Sequence, residues 1–248
     1  MHRSTASRSA LKAEAQSIID AASRDFERGT ITASDWQRRV SAALATAYLG
    51  DDDPRWQSGF DGDVELWRQA RELVLDAVSA PGSFLDVGCA NGYLLECLDI
   101  WSRERGLTLT LSGLELNPEL ADAARRRLPA LSQGIYSGNI SDWEPPHRFM
   151  YVRMGLEYAP PGQDAALLSR VLSDVVQTGG RLIVGPVPFT ALSATHDAFI
   201  RANVSESHDV SATDRDGKTR YVVWARADAY LASRKRGRTN AYDGQPSD

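Results

Sequence analysis

Ser83-Phe84-Leu85-Asp86-Val87-Gly88-Cys89-Ala90-Asn91-Gly92-Tyr93-Leu94-Leu95 is the stretch on which the reading of this chain turns. It predicts a short buried strand, a glycine-rich turn and the start of a helix. Asp86 closes the strand, and Gly88 and Gly92 bracket the turn. Glycines let a backbone approach a small ligand closely, while the carboxylate faces a positive group on it. Two rival sites are disfavoured. A dinucleotide site needs G-x-G-x-x-G, and Ala90 stands where the second glycine belongs. A phosphate loop needs a closing Gly-Lys-Ser/Thr, and the turn has no lysine. Asp86 would also repel a pyrophosphate.

Outward from this turn, strands and helices alternate, which is the signature of a parallel sheet with crossover helices. Strands are expected over 84–87, 108–116, 134–140, 148–154 and 181–187. Helices are expected over 93–105, 117–128, 165–177 and 190–204, the helix at 165–177 being closed by Gly179-Gly180. Two further strands, 207–213 and 219–226, flank Asp216-Gly217, a hairpin signal. Ahead of this block lie a helix over 64–80, a turn-rich connector over 50–63 and two helices within 10–49. Ser34 with Gln37 resembles a capping box for the second of these. The N-terminal helices read either as a cap over a pocket or as a packing or dimerisation element. The connector, with Trp56 and Phe60, reads as a lid or as an anchored linker.

Strand, Asp-x-Gly-x-x-x-Gly, helix resembles motif I of the class I methyltransferases that use S-adenosylmethionine (SAM). The likeness covers about 57–226. It implies an α/β, Rossmann-like class I methyltransferase fold: a mostly parallel seven-stranded sheet with a C-terminal antiparallel hairpin, plus an N-terminal helical extension. The expected division is 1–50 as helical extension, 51–230 as SAM-binding domain and 231–248 as a polar tail. SAM is the implied cofactor and S-adenosylhomocysteine (SAH) the product. The resemblance assigns the cofactor to Asp86, Gly88, Cys89, Ala90, Asn91 and Gly92 in the motif, and to Glu115 and Leu116 at the second strand's tip. Glu115 would take the ribose hydroxyls, as the acidic residue does in dinucleotide folds. Asn139 stands where the family usually has an acid reading the adenine amino group; its amide can both accept and donate. Ile140 would touch the base. Arg153 is a further cofactor candidate, and Gln57-Ser58-Gly59 resembles a lid over the methionyl end in some bacterial members.

The fourth strand exits as Gly155-Leu156-Glu157-Tyr158-Ala159-Pro160, where the resemblance places the methyl acceptor. Neither the Asp/Asn-Pro-Pro-Tyr/Phe motif of base-amino enzymes nor a cysteine after proline is present. The segment is closer to small-molecule enzymes, with Tyr158 where their histidine stands. Candidate bases are His196, Glu157 and Tyr158, with His147 and His208 behind them, and none is assigned. The net charge of −5 gives no bulk attraction to nucleic acid, and the basic run 234–238 reads as a solvated tail. Two cysteines do not make a disulfide framework, and no apolar run is long enough for a bilayer. The expectation is a cytoplasmic enzyme acting on a small-molecule acceptor, with no metal, no membrane, and a homodimer left open. The rivals are an RNA or protein methyltransferase, an NAD-dependent oxidoreductase and a non-catalytic SAM-binding module.

Overall fold

The computed structural model describes residues 5–228 and 230. Two antiparallel N-terminal helices, α1 (Thr5–Glu27) and α2 (Ala33–Tyr48), lead into the connector and α3 (Val64–Arg71). Then come β1 (Gly82–Val87), α4 (Tyr93–Glu104), β2 (Leu109–Glu115), α5 (Pro118–Arg127), β3 (Ile135–Ser137) and β4 (Phe149–Met154). The chain continues through α6 (Asp164–Arg170), β5 (Val176–Pro188), α7 (Phe189–Arg201), β6 (His208–Thr213) and β7 (Thr219–Arg226). The seven strands form one sheet in the order β3-β2-β1-β4-β5-β7-β6. β1 through β5 pair in parallel, and β7 joins antiparallel to both β5 and β6. This is the mostly parallel sheet with a C-terminal hairpin that the sequence predicts.

Strand alternation explains the layers. Successive side chains point to opposite faces, so Leu85 and Val87 of β1 join one core with Val152, Met154, Leu168, Leu172 and Phe199. Phe84 joins the other core, with Leu95, Leu98, Leu111, Tyr151 and Ile183. Helices cover both faces, so the central strands read as continuous apolar runs. The N-terminal hairpin packs through its own small clusters, Ala15, Ala43 and Ala47 in one and Ala22, Trp36 and Val40 in the other.

Several local expectations change. The capping box of α2 is Thr32 with Asp35: Asp35 N–H donates to Thr32 Oγ1 and Thr32 N–H donates to Asp35 Oδ2, both at 3.1 Å. Ser34 sits inside the first turn, and Gln37 is left free to point elsewhere. The helix expected over 64–80 is α-helical only to Arg71 and tightens to a 3-10 turn over Glu72–Ala77. The 165–177 helix ends in a π-turn over Val171–Val175. Gly179-Gly180 do not terminate it but lie within β5, at a register shift against β4. A Cβ on Gly180 would meet the Met150 carbonyl oxygen at 2.6 Å, so the bulge requires glycine there. β3 is only three residues long, because the chain turns off at Gly138 once its N–H has bonded the Glu115 carbonyl at 3.0 Å. The basic run 234–238 and the rest of the expected tail lie outside the described residues. Among the described residues, no helix is long and apolar enough to cross a membrane.

The chain before β1 is tied down by one hydroxyl. Tyr151 Oη accepts from Ser79 N–H (3.2 Å) and Ala80 N–H (3.0 Å) and donates to Ala80 O (3.1 Å). Tyr151→Phe removes a partner from the backbone groups of exposed Ser79 and half-buried Ala80. It is expected to cost about 0.5–1.5 kcal/mol, read as a lower urea midpoint at unchanged slope; an unchanged midpoint would show the hydroxyl to be dispensable.

Candidate functional site

Parallel strands all present their carboxyl ends to one edge, where an open sheet of this kind forms its crevice. β1 stops at Val87 because Gly88 and Cys89 both turn their N–H groups to the Leu114 carbonyl, at 2.8 and 3.2 Å. Gly88 has φ +69°, and a Cβ there would collide with the Tyr158 hydroxyl. Glycine is therefore required both by backbone conformation and by close approach.

Asp86 pairs directly with Arg153 across β1 and β4. Arg153 Nη1 donates to Asp86 Oδ1 at 3.0 Å, and Arg153 Nε donates to the Gly185 carbonyl of β5 at 2.7 Å. Both side chains are buried. Burial is the larger influence on Asp86 and pushes its carboxyl up against the opposing pull of Arg153. For Arg153, burial works against the charge, but Asp86, Tyr158 and Glu157 outweigh it and the guanidinium is held charged. Glu115, 8% exposed, is oriented by backbone donors: Ala90 N–H to Oε2 at 2.9 Å and Asn117 N–H to Oε1 at 2.8 Å. Burial raises its pKa, with those donors opposing.

At the far end, Asn139 is held in a ring of polar contacts. Ser141 N–H donates to Asn139 Oδ1 (3.0 Å), Asn139 Nδ2 donates to Gln37 Oε1 (2.6 Å), and Gln37 Nε2 donates to Ser141 Oγ (2.6 Å). Gln37 comes from α2, so the N-terminal hairpin is fastened to the loop after β3.

Under that roof lies a cavity of about 570 Å³, within the range of small-molecule and cofactor sites. The cavity is lined from below by Asp86, Gly88, Cys89, Ala90, Glu115, Leu116, Asn139, Ile140 and Arg153. Ser58, Gly59, Glu157 and Tyr158 also line it. Its roof comes from the N-terminal helices that the sequence offered as a cap, through residues it did not single out: Ile19 of α1 and Trp36, Gln37, Val40, Leu44 and Tyr48 of α2, with Trp67 and Arg71 of α3 at the side. Gln37 looked like a capping residue. Arg71 had no signal separating it from a surface charge on an amphipathic helix.

Other expected residues are not brought to the cavity. Asn91 is fully buried beneath the connector: its Nδ2 donates to Pro54 O and Gln57 Oε1, both at 3.1 Å, and its Oδ1 accepts from Ser58 Oγ at 2.6 Å. Gln57 is spent in that network, its Nε2 donating to Asp51 O at 2.8 Å. Asn91 thus ties the glycine turn to the connector, and Gly92 lies against Ala124 and Leu128. His196 is on α7, its ring nitrogens 2.8 Å from Ser207 Oγ and 3.2 Å from Asp209 Oδ1, where it joins α7 to β6. His147 lies tilted against Phe149 and His208 stacks on Trp224, at 4.5 and 4.3 Å between centroids.

No protein-family model matches the chain, and no curated protein matches it by sequence. Solved structures do match. The 4+2 cyclase SpnF superposes with a TM-score of 0.53 at 15% identity, over 77% of this chain and 96% of that one. A Haloferax volcanii complex of the Trm112 methyltransferase activator with a putative methyltransferase gives 0.51 at 14% identity, over 75% and 95%. The SAM-dependent methyltransferase SibL in its apo form gives 0.50 at 17%, over 69% and 61%. The fold is that of the class I methyltransferases. At these identities the likeness establishes architecture and leaves chemistry to the site.

Two outcomes test this geometry. Arg153→Met leaves Asp86 buried without its partner and is expected to cost about 3–5 kcal/mol. The unpaired carboxyl is raised further above its unfolded value, so the loss is smallest below the ordinary carboxylate range and grows as pH rises through the raised pKa. Urea unfolding of variant and parent at several pH values reads this; a loss independent of pH would mean that Asp86 is not the group left behind. Asn91→Ala is expected to expose residues 51–62 to proteolysis while hydrogen exchange in β1 and β4 stays slow. An equally protected connector would show that Asn91 does not hold it.

Proposed function

We propose that this chain is a SAM-dependent methyltransferase acting on a small molecule. The observation that supports it most is the gathering of the Gly88 turn, Asp86, Glu115 and Asn139 around one roofed cavity. These residues fit the cofactor. Glu115, fixed by two backbone donors, keeps lone pairs for a vicinal diol. Asn139 with Ile140 and Leu116 would hold the base, and the glycine turn would lie along the methionyl chain. Arg153 engages Asp86 through Oδ1, so the second carboxylate oxygen would take the methionyl ammonium.

SAM, when bound, supplies an electrophilic methyl whose departure leaves a neutral thioether. The chain's own work is therefore positioning and exclusion of water, and orientation of this kind is worth roughly 7–11 kcal/mol of barrier. The roof from α1, α2 and the connector would exclude water, and Tyr158 would fix the turn by packing on Gly88. Glu157 and Tyr158 line the acceptor side. Burial pushes the Tyr158 hydroxyl well above its ordinary range, so Tyr158 acts as a neutral hydrogen-bonding group at neutral pH rather than as a phenolate base. His196, away from the cavity, has no part in the proposal. The net charge of −5 favours a small acceptor over a polyanionic one.

Calorimetric titration with SAH, with NAD as control, tests the cofactor assignment. SAH is expected to bind with a dissociation constant of roughly micromolar order, with silence toward NAD. Glu115→Ala is expected to weaken SAH roughly ten- to hundredfold, the value of hydrogen bonds to a charged group. A folded protein that ignores SAH, or a Glu115→Ala variant that binds it unchanged, would sink the cofactor reading. SAH binding without methyl transfer to any acceptor in a broad screen would leave a SAM-holding scaffold instead.

A further inference from the structure

Arg71, the last residue of α3, faces the cavity. Its guanidinium carbon lies 5.4 Å from the Phe60 ring centroid and 5.3 Å from that of Trp67. The two rings are themselves in edge contact at 5.4 Å, so the guanidinium is held in a rigid aromatic corner. Among the described residues, Arg71 makes neither an ion pair nor a side-chain hydrogen bond. The two guanidiniums that act most strongly on Arg71 are matched: Arg153 with Asp86, and Arg220 with Asp214 at 2.7 Å. Glu157, the free carboxylate lining the cavity, does not reach Arg71, because it folds back over Gly155 and would collide with any Cβ there.

The charges acting most strongly on Arg71 are Arg153 of β4 and Arg220 of β7, both of the same sign, followed by Tyr158 and Glu157. Glu115 of β2 is not among them. Asp86 in turn feels the Arg71 charge. Burial and the two like charges bring its pKa down to about 10, so it is still charged at neutral pH. A half-buried cation with like charges nearest, and with no ion pair or side-chain hydrogen bond among the described residues, is stabilised by an anion that comes within reach. A planar guanidinium fixed against aromatic rings presents its fork to a carboxylate in two parallel hydrogen bonds.

We propose that Arg71 is the anchor for a carboxylate on the methyl acceptor, whose apolar body lies under Trp36, Val40 and Leu44 of α2. The assignment of the carboxylate to an acceptor rests on the methyltransferase reading of the cavity. The anion subsite itself rests on the partnerless guanidinium.

The test titrates the full chain, with and without SAH, with benzoate, phenylacetate and cinnamate, each against its neutral amide. At least one carboxylate is expected to bind about tenfold more tightly than its amide. Arg71→Gln is expected to erase that preference while holding SAH affinity within about twofold; Arg71→Lys, which keeps the charge, is expected to retain part of it. Thermal unfolding of both variants checks that they fold. No carboxylate preference in the parent protein, or an undiminished one in Arg71→Gln, overturns the proposal. Should Arg71→Gln weaken SAH about tenfold while leaving methylthioadenosine, which lacks the amino-acid end, unchanged, then Arg71 holds the cofactor's own carboxylate and the acceptor assignment falls. A parent protein that ignores SAH yet still prefers carboxylates would keep the Arg71 subsite and remove the methyltransferase reading instead.

Discussion

The buried pair of Asp86 and Arg153 is the constraint around which the sheet's carboxyl edge is organised. It crosses from β1 to β4 and continues through the Arg153 Nε donor to the Gly185 carbonyl of β5, so three adjacent central strands share one polar chain beneath the cavity floor. A buried pair of this kind contributes little net stability, because desolvating two charges offsets most of their attraction. Its effect is on register and on charge. Neither partner tolerates loss of the other, and the cavity floor is kept near neutral.

That neutral floor gives the remaining charges their meaning. Glu115 faces the cavity at one end, stiffened by the Ala90 and Asn117 amides. Arg71 also lines it, held against Phe60 and Trp67. With the central pair cancelled, Glu115, Glu157 and Arg71 are the charges left along a cavity with an apolar roof. Such polarity orients a ligand more than it tightens one.

The roof is fastened by directional contacts and not by a large apolar interface. Gln37 bonds Asn139 and Ser141, Asn91 bonds Pro54, Gln57 and Ser58, and Arg8 grips Asp51 through two hydrogen bonds of 3.0 and 2.9 Å. The clusters inside the α1–α2 hairpin are separate from the two cores that sandwich the sheet. Trp56 of the connector adds a buried anchor, its Nε1 donating to the Ala47 carbonyl at 2.8 Å with Arg8 and Lys12 over its ring.

The sheet was legible from the chain because its signals are local: Phe84–Val87 alternates between two buried faces, Gly88 must have positive φ, and Asn117-Pro118 starts a helix wherever it occurs. Carboxylates at strand tips were legible too, since topology puts every strand's end on one edge and Asp86 and Glu115 stand there. Burial and partnership were not. Asn91 looked like a ligand contact and proved to be a fastening, because its neighbours lie 33 to 37 positions away. Gln37 looked like a cap, and its partners lie more than 100 positions away. His196 followed the right strand but turned to β6. Sequence by itself determined the layered α/β architecture, the glycine turn and the acids at its rim, since these follow from backbone conformation and side-chain periodicity. Only the tertiary structure decided that Asp86 is paired, that Arg71 has no ion pair among the described residues, and that the N-terminal helices roof the cavity, because charge pairing and enclosure depend on distances between segments that the order of residues leaves open.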